Sequence, residues 1–284
     1  MRIYSRLIFL FFLLSCSSGN EDDSASNDPN TVQKRGCPGD VTDSIPSGNN
    51  DVLIWAEEFD EEGSPCSHNW IFEGGNNNGW GNNEQQYYKR NDPDNVIIED
   101  GILKITLIKE KYNGYNYTST RMTTFNKFDF KYGKIEVRAK LPQGRGTWPA
   151  IWMLGKDYTN VGWPACGEID IMEHKGSEPG LIHGSLHTPS SHGDTTNTEI
   201  VSVDDVSTQF HDYEVIWTEE KIQFLVDDKL YYTYSPTNKN SSNWPYDDNF
   251  FIILNIAMGG NFGGSIDPNF SQSSMEIDYI RVYQ

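Results

Sequence analysis

A succession of short strand-like segments, with no amphipathic helix between them, is the feature that most limits how this chain can fold. In "ILKITLI" (102–108) and "KIEVRAKL" (134–141) apolar residues alternate with polar ones, which is the period of a half-buried β-strand. Asp-Gly, Asn-Gly and Gly-Gly pairs mark turns between such segments. We therefore predict an all-β domain, either a sandwich of two sheets or a barrel.

The residue patterns of two segments predict where each segment lies in a sheet. "FFIILNIAM" (250–258) is almost continuously apolar, which is typical of a central strand covered on both faces. "KIEVRAK" (134–140) has one charged side, so one of its faces should meet water.

The N-terminus has the pattern of a secretion signal. "MRIYSRLIFLFFLLSC" places two arginines before eight apolar residues, whereas a membrane span needs roughly 18. The ending Leu-Leu-Ser-Cys resembles a bacterial lipoprotein box, which implies that residues 1–15 are removed and that Cys16 carries lipid. An ordinary signal peptide cut elsewhere is the alternative. We expect a secreted protein of the bacterial cell envelope, anchored by lipid at a membrane surface and otherwise making no membrane contact.

Residues 16–50 have the composition of a flexible tether. Of the 34 residues from Ser17 to Asn50, 23 are Ser, Gly, Asn, Asp or Pro and none is aromatic, so the segment cannot form an apolar core. The folded domain is therefore predicted to span residues 51–284.

The charge balance limits the choice of partner. Without residues 1–15 the chain has 20 basic and 41 acidic residues, a net charge of −21. A surface this negative disfavours nucleic acid and other anionic polymers, whose backbones need Lys and Arg. It is compatible with a neutral ligand.

Cys37, Cys66 and Cys166 remain in the processed chain, and their spacing matches no zinc pattern. An oxidising exterior permits one disulfide. A Cys37–Cys66 pair is one option, and it would leave Cys166 as a small buried residue.

The stretch "GEIDIMEHKG" (167–176) places Glu168, Asp170 and Glu173 within six residues. Strict alternation would point the third acid into the apolar side, so we predict a β-bulge with Met172 as the extra residue, which keeps all three acids on one face. The two Glu backbones would lie about 16 Å apart, less the shortening of the bulge. Side chains that lean together could then bring their carboxyl groups to about 5 Å, the separation of a retaining glycosidase.

The same three acids allow other interpretations. They could form a solvated strand face, or bind calcium or magnesium as clustered carboxylates do. In an active site, Asp170 would share a proton or hydrogen bond with the nucleophile, and the clustered charge would raise the pKa of the acid that stays protonated.

Aromatic and amide residues surround the acids in sequence. Trp148, Trp152 and Trp163 precede them closely, and tryptophan faces either stack on sugar rings or fill a core. "NNNGWGNNEQQYY" (76–88) offers neutral amides around Trp80 that suit sugar hydroxyls, although a disordered polar loop would have the same composition.

The combination of these motifs resembles glycoside hydrolase family 16, and within it the laminarinase-type endo-β-1,3-glucanases. "EIDIME" preceded by "GTWPAIWML" carries the resemblance. It runs from about residue 51 to Gln284, through "GWGNNEQQYY", "TSTRMTT", "LNIAMGGNFGG" and "MEIDYIRVYQ". It implies a β-jelly-roll sandwich of two antiparallel sheets with a concave substrate cleft, and no cofactor for catalysis. We also expect a monomer.

The resemblance implies a role for particular residues. Glu168 would be the nucleophile, Glu173 the acid/base and Asp170 their helper. His187 would lie near the acid/base. The residues implied to contact glucose on the non-reducing side of the cut are Asn82, Arg121, Trp148, Trp152 and Trp163. Many members also carry a structural calcium, for which the matching positions are Glu58, the carbonyl of Gly101, and Asp278.

The predicted function is retaining, internal cleavage of β-1,3 bonds in laminarin-type glucans, with mixed β-1,3/1,4-glucans as a further substrate. Two residues between Asp170 and Glu173 are also found in agarases and carrageenases, and the strong negative charge disfavours a sulfated substrate. An agarase-type hydrolase and a non-catalytic glucan-binding protein are the alternatives. Retention of all three acids favours hydrolysis.

Overall fold

A computed structural model describes residues 52–284 of the protein. The predictions for the signal peptide 1–15, the tether 16–50, the lipidated Cys16 and the Cys37–Cys66 pair fall wholly or partly outside this range. Cys66 itself is disulfide-bonded, and Cys166 is a buried free thiol.

Two β-sheets account for most of the regular backbone. The strands are β1 (Leu53–Glu57), β2 (Ile71–Glu73), β3 (Gln86–Tyr88), β4 (Val96–Glu99), β5 (Ile102–Ile108), β6 (Tyr117–Ser119), β7 (Arg121–Thr123), β8 (Gly133–Lys140), β9 (Thr147–Gly155), β10 (Glu168–His174), β11 (Leu181–His187), β12 (Asn197–Ser202), β13 (His211–Trp217), β14 (Ile222–Val226), β15 (Lys229–Tyr234), β16 (Phe250–Met258) and β17 (Gln272–Tyr283). The α-helices of the described range are α1 (Tyr158–Val161) and α2 (Gly260–Gly263), and short 3₁₀ turns cover Gly79–Gly81 and Gly193–Thr195. Within residues 52–284, no helix is long and apolar enough to cross a membrane.

The strands pair almost entirely in antiparallel fashion. The seven-stranded sheet has the order β12-β11-β10-β9-β16-β7-β2, and the ten-stranded sheet runs β15-β14-β13-β8-β17-β5-β6-β3, with β1 also paired to β17 and β4 to β5. Only the short β3–β6 pair is parallel among the described strands.

The apolar core lies between the two sheets and explains the sequence patterns. Every residue of β16 is buried, as its unbroken apolar run predicts. Strand β8 buries alternate residues, and its charged face forms ion pairs with neighbouring strands, including Lys134 with Glu214 and Lys140 with Glu276. Both predictions are confirmed.

Strand β10 contains the predicted β-bulge, but with a different extra residue. Against β9, Asp170 pairs with Trp152 and Met172 pairs with Ile151, so Ile171 is the residue left over, not Met172. Ile171 and Met172 are 2% and 0% exposed, and both pack in the main core. Two adjacent apolar side chains thus enter the core together, and Glu173 returns to the face of Glu168 and Asp170.

Candidate active site

The three acids lie on the face of the seven-stranded sheet that points away from the main core. Glu168 and Glu173 are partly exposed, whereas Asp170 is 3% exposed. Strands β9 and β11 flank β10 and supply the nearest neighbours of the acids.

His187 contacts two of the acids from β11, where it pairs with Glu168 across the strands. Its Nε2 lies 3.3 Å from Glu168 Oε1 and 3.1 Å from Asp170 Oδ2. These contacts place the ring against Glu168 and Asp170, and His187 also lowers the pKa of Glu173 electrostatically. In the antiparallel register Glu173 pairs with His183.

Trp148 reaches the third acid from β9. Its indole N–H donates a hydrogen bond to Glu173 Oε1 at 2.9 Å. Its ring packs against Phe262 of α2, with 5.1 Å between ring centroids. Trp148 therefore orients Glu173 directly, besides presenting a partly exposed ring in the same region.

Burial raises the pKa of Glu168, Asp170 and Glu173, each to about 8. The charge of Asp170 raises the pKa of both glutamates further, while the Trp148 hydrogen bond lowers that of Glu173. Groups this close exchange protons as one set. The site therefore retains protons at neutral pH, as a general acid requires.

Arg121 of β7 contacts the ring of Trp80, in the turn Gly79–Gly81, and the ring of Trp152 on β9. Its guanidinium carbon is 4.6 Å from the ring centroid of Trp80 and 4.7 Å from that of Trp152, and its Nε bonds to Glu73. The stack combines cation–π attraction with an ion pair, so it forms a rigid wall beside the acids. Of the two interpretations of Trp152, cleft or core, the structure supports the first, because Trp152 belongs to this wall and not to the main core.

A chain of hydrogen bonds fixes that wall to the sheet. Trp152 Nε1 donates to Asn255 Oδ1 (2.8 Å), Asn255 Nδ2 donates to Tyr88 OH (3.1 Å), and Tyr88 OH donates to Glu84 Oε2 (3.3 Å). Asn82 Nδ2 donates to the other oxygen of Glu84 at 3.3 Å. Of these five residues, only Trp152 and Asn82 were predicted as site residues. Two features of the sequence could have indicated others of the five: Asn255 is an asparagine within an apolar strand, and Glu84 is an acid within an amide-rich loop.

Trp163 is the most exposed of the predicted aromatic residues, at 49%. It lies between α1 and β10, and its ring centroid is 5.6 Å from that of His187 and 5.3 Å from that of His192. An aromatic face is thus open to solvent on the side of the site where His187 meets the acids.

The two acidic residues predicted to bind calcium, Glu58 and Asp278, are paired with arginines. Both carboxylate oxygens of Glu58 accept hydrogen bonds from Arg281 at 2.8 Å, and Asp278 Oδ2 lies 3.3 Å from Arg138 Nε. Gly101 lies in the turn between β4 and β5, with a φ of 73°. In this structure, guanidinium groups hold the carboxylates that calcium would need, and the calcium site stays a prediction.

The fold and the acids together define a class of protein. A β-sandwich that carries clustered, partly protonated carboxylates beside stacked tryptophans has the chemistry of a glycoside hydrolase.

The chain belongs to glycosyl hydrolases family 16, whose family model matches residues 83–281. It is 48% identical to the laminarinase from Flavobacterium sp. UMI-01, whose crystal structure superposes with a TM-score of 0.77 over 82% of this chain and 100% of that one. It is 42% identical over 244 residues to a beta-glucanase of Rhodothermus marinus, covering 82% of this chain and 85% of the relative. It is 40% identical over 252 residues to a glucan endo-1,3-beta-glucosidase of Cryptopygus antarcticus, covering 82% and 92%. The predicted family and jelly-roll sandwich are confirmed.

Proposed function

We propose that this protein is a retaining, endo-acting glycoside hydrolase that cleaves internal β-1,3 bonds of laminarin-type glucans. One observation carries the proposal: the bulge in β10 brings Glu168, Asp170 and Glu173 to one face, beside the aromatic wall. The relatives named above support the substrate class.

The proposed reaction proceeds in two displacements. In the first, Glu173 gives its proton to the glycosidic oxygen, the Glu168 carboxylate attacks the anomeric carbon to form a glycosyl-enzyme, and the bond from that carbon to the glycosidic oxygen breaks, so the sugar on the far side leaves as an alcohol. In the second, Glu173 takes a proton from water, the water oxygen attacks the same carbon, and Glu168 leaves as a carboxylate. Two inversions give net retention.

The surroundings of each acid explain how identical side chains take different tasks. Asp170 is buried, which raises its pKa, and its hydrogen bond with Glu168 lets the two carboxyl groups share one proton and leaves the pair with a negative charge. The positive charge of His187, when protonated, also favours the ionised form of Glu168. Glu173 keeps its proton because it is buried and near the charge of Asp170.

The wall of Trp80, Arg121 and Trp152 suits a neutral polysaccharide. Its indole rings can pack on the C–H faces of pyranose rings, while Asn82 offers an amide to hydroxyl groups. Arg121 is already paired with Glu73, so the wall offers no free positive charge to a sulfated chain.

Substitution of the nucleophile tests the proposal. We expect Glu168→Ser to lower laminarin hydrolysis by about 10³-fold or more while oligosaccharide binding, measured by calorimetry, persists. Glu178→Ser is the matched control, because Glu178 is an exposed acid paired only with Lys175. Equal release of reducing sugar by wild type and Glu168→Ser would refute the site. A wild type that binds glucan without cleaving it would support the non-catalytic alternative.

A substrate panel tests the linkage. Reducing-sugar release should be fastest on laminarin, slower on curdlan and lichenan, and absent on agarose, with the β-anomer as first product by NMR. Preferential cleavage of agarose would favour the agarase-type alternative.

A further inference from the structure

Glu168, Asp170 and His187 bring three potential ligand atoms together, all within 4.8 Å of one another. We propose that this triad is a binding site for a divalent transition-metal cation of the zinc type, and that the bound cation reversibly inhibits the enzyme. The inhibition rests on the proposed function, whereas the binding does not.

The spacing of the ligand atoms fits a tetrahedral ion. His187 Nε2 lies 3.3 Å from Glu168 Oε1 and 3.1 Å from Asp170 Oδ2. Zinc binds nitrogen and oxygen at about 2.1 Å, so two of its tetrahedral ligands lie about 3.4 Å apart. The two contacts to His187 need to open by only a few tenths of an ångström to admit the ion, and the oxygens of Glu168 and Asp170 lie within 4.8 Å of each other.

Asp170 gives a second, independent reason to expect a cation. Its Oδ2 is buried, faces His187, and accepts no hydrogen bond of normal geometry within residues 52–284. A buried carboxylate oxygen without a donor is unfavourable, and a cation at this position would satisfy it.

The histidine determines which cations the site prefers. Calcium and magnesium favour six or more oxygen ligands, whereas one imidazole with two carboxylates suits Zn²⁺ and its transition-metal neighbours. His187 Nδ1 faces the Gly193 N–H, which donates to it, and Thr196 Oγ1, both at 3.4 Å. Coordination of a cation by Nε2 would move the ring proton to Nδ1, where Thr196 Oγ1 can accept it in place of the long Gly193 bond.

The triad is accessible to an ion from the cleft. The side chains of Glu168 and His187 are 16% and 14% exposed, so a fourth coordination position would face solvent. A cation there would occupy the attacking oxygen of the proposed nucleophile, and it should therefore compete with substrate.

Calorimetric titration of the wild-type full chain with ZnCl₂ tests the site. We expect one ion per chain, with affinity lowered about 10- to 100-fold by His187→Gln. Glu168→Gln, which removes a carboxylate ligand, should weaken binding as well. Co²⁺ should give the visible absorption of a tetrahedral site in wild type but not in His187→Gln, and circular dichroism checks that each variant folds.

His211→Gln is the matched control, because His211 Nδ1 faces a single carboxylate, Asp227, at 2.8 Å. It should bind Zn²⁺ and hydrolyse laminarin as the wild type does. In wild type, Zn²⁺ should raise the apparent KM for laminarin, and removal of the ion with EDTA should lower the KM to its original value.

The outcomes separate this inference from the proposed function. Unchanged Zn²⁺ affinity in folded His187→Gln, or Mg²⁺ binding as tight as Zn²⁺ binding, would overturn the metal site even if laminarin is hydrolysed. Zn²⁺ binding that depends on His187 in a protein that hydrolyses no glucan would leave the metal site standing and refute the proposed function.

Discussion

The tasks proposed for the three acids depend on what each side chain touches, because the pKa of each is raised to about the same value. Glu168 faces His187, Asp170 has no donor of normal geometry at Oδ2, and Glu173 accepts a hydrogen bond from Trp148. These contacts join β10 to two other strands.

At the scale of residues, the sequence predicted the acids and the tryptophans but not the residues that position them. The bond between Trp152 and Asn255 joins positions 103 residues apart. The partners of His187 likewise depend on the pairing of β10 with β11. Local patterns contain no information on such contacts, which arise only when the strands assemble.

Trp148→Phe should shift the pH dependence of catalysis upward. The Trp148 N–H favours the ionised form of Glu173 and lowers its pKa, so removal of the donor raises that pKa. Glu173 would then keep its proton to higher pH. The alkaline limb of the kcat/KM profile should move up by about one pH unit, since one hydrogen bond to a charged group is worth about 1.5 kcal/mol.

Trp152→Phe is the control for this shift, because the Trp152 N–H donates to Asn255 and to none of the acids. It should raise KM without moving the limb. An alkaline limb that stays in place, or moves to lower pH, in Trp148→Phe would contradict the proposed assignment of Glu173 as the acid.

At the scale of elements, the sequence predicted the strands more accurately than their pairing and register. The buried β16 and the bulge in β10 follow from apolar patterns, but the extra residue of the bulge depends on the register with β9. The amide-rich loop 76–88 has the composition of a disordered segment. In the structure it is ordered because Asn76 and Gln86 are buried and hydrogen-bonded, at 7% and 0% exposure.

Gln86 ties this loop to β16. Its Oε1 accepts the Met258 N–H at 2.7 Å, and its Nε2 donates to Glu84 Oε2 at 2.6 Å. Gln86→Leu would leave the Met258 N–H buried and unsatisfied and Glu84 Oε2 with only the 3.3 Å bond from Tyr88, so we expect the free energy of unfolding in urea to fall by about 2–4 kcal/mol. The KM for laminarin should rise, because Glu84 also holds Asn82.

Gln223→Leu provides the comparison, since Gln223 makes only a long 3.4 Å bond to Thr233 near the surface of the ten-stranded sheet. Its stability should change by no more than about 0.5 kcal/mol. Equal stability of the two variants would show that the Gln86 bonds do not hold the loop.

At the scale of the whole molecule, the alternating strands predicted an all-β domain, and the motifs predicted the family. Neither could supply the pairing order of the two sheets, which is set by long-range packing. The signal peptide, the tether and the lipid anchor concern residues outside the described range, and they stay predictions.

The lipid anchor can be tested by metabolic labelling with an alkyne fatty acid in bacterial cells. The full-length protein should carry the label and sediment with membranes, whereas Cys16→Ser should do neither. Cys166→Ser should keep the label, because Cys166 is a buried free thiol. A labelled Cys16→Ser protein would exclude Cys16 as the anchor, and an unlabelled wild type would favour an ordinary signal peptide.

The two ends of the described domain meet on one sheet. The Val52 N–H donates to the Gln284 carbonyl at 2.6 Å, and the Gln284 N–H donates back at 2.9 Å, beside β1 and β17 of the ten-stranded sheet. The acids lie on the outward face of the other sheet. A tether that joins the domain at Val52 would therefore leave from the ten-stranded sheet and not from the face of the acids, so the attachment point would not obstruct a long polymer that enters the cleft in mid-chain.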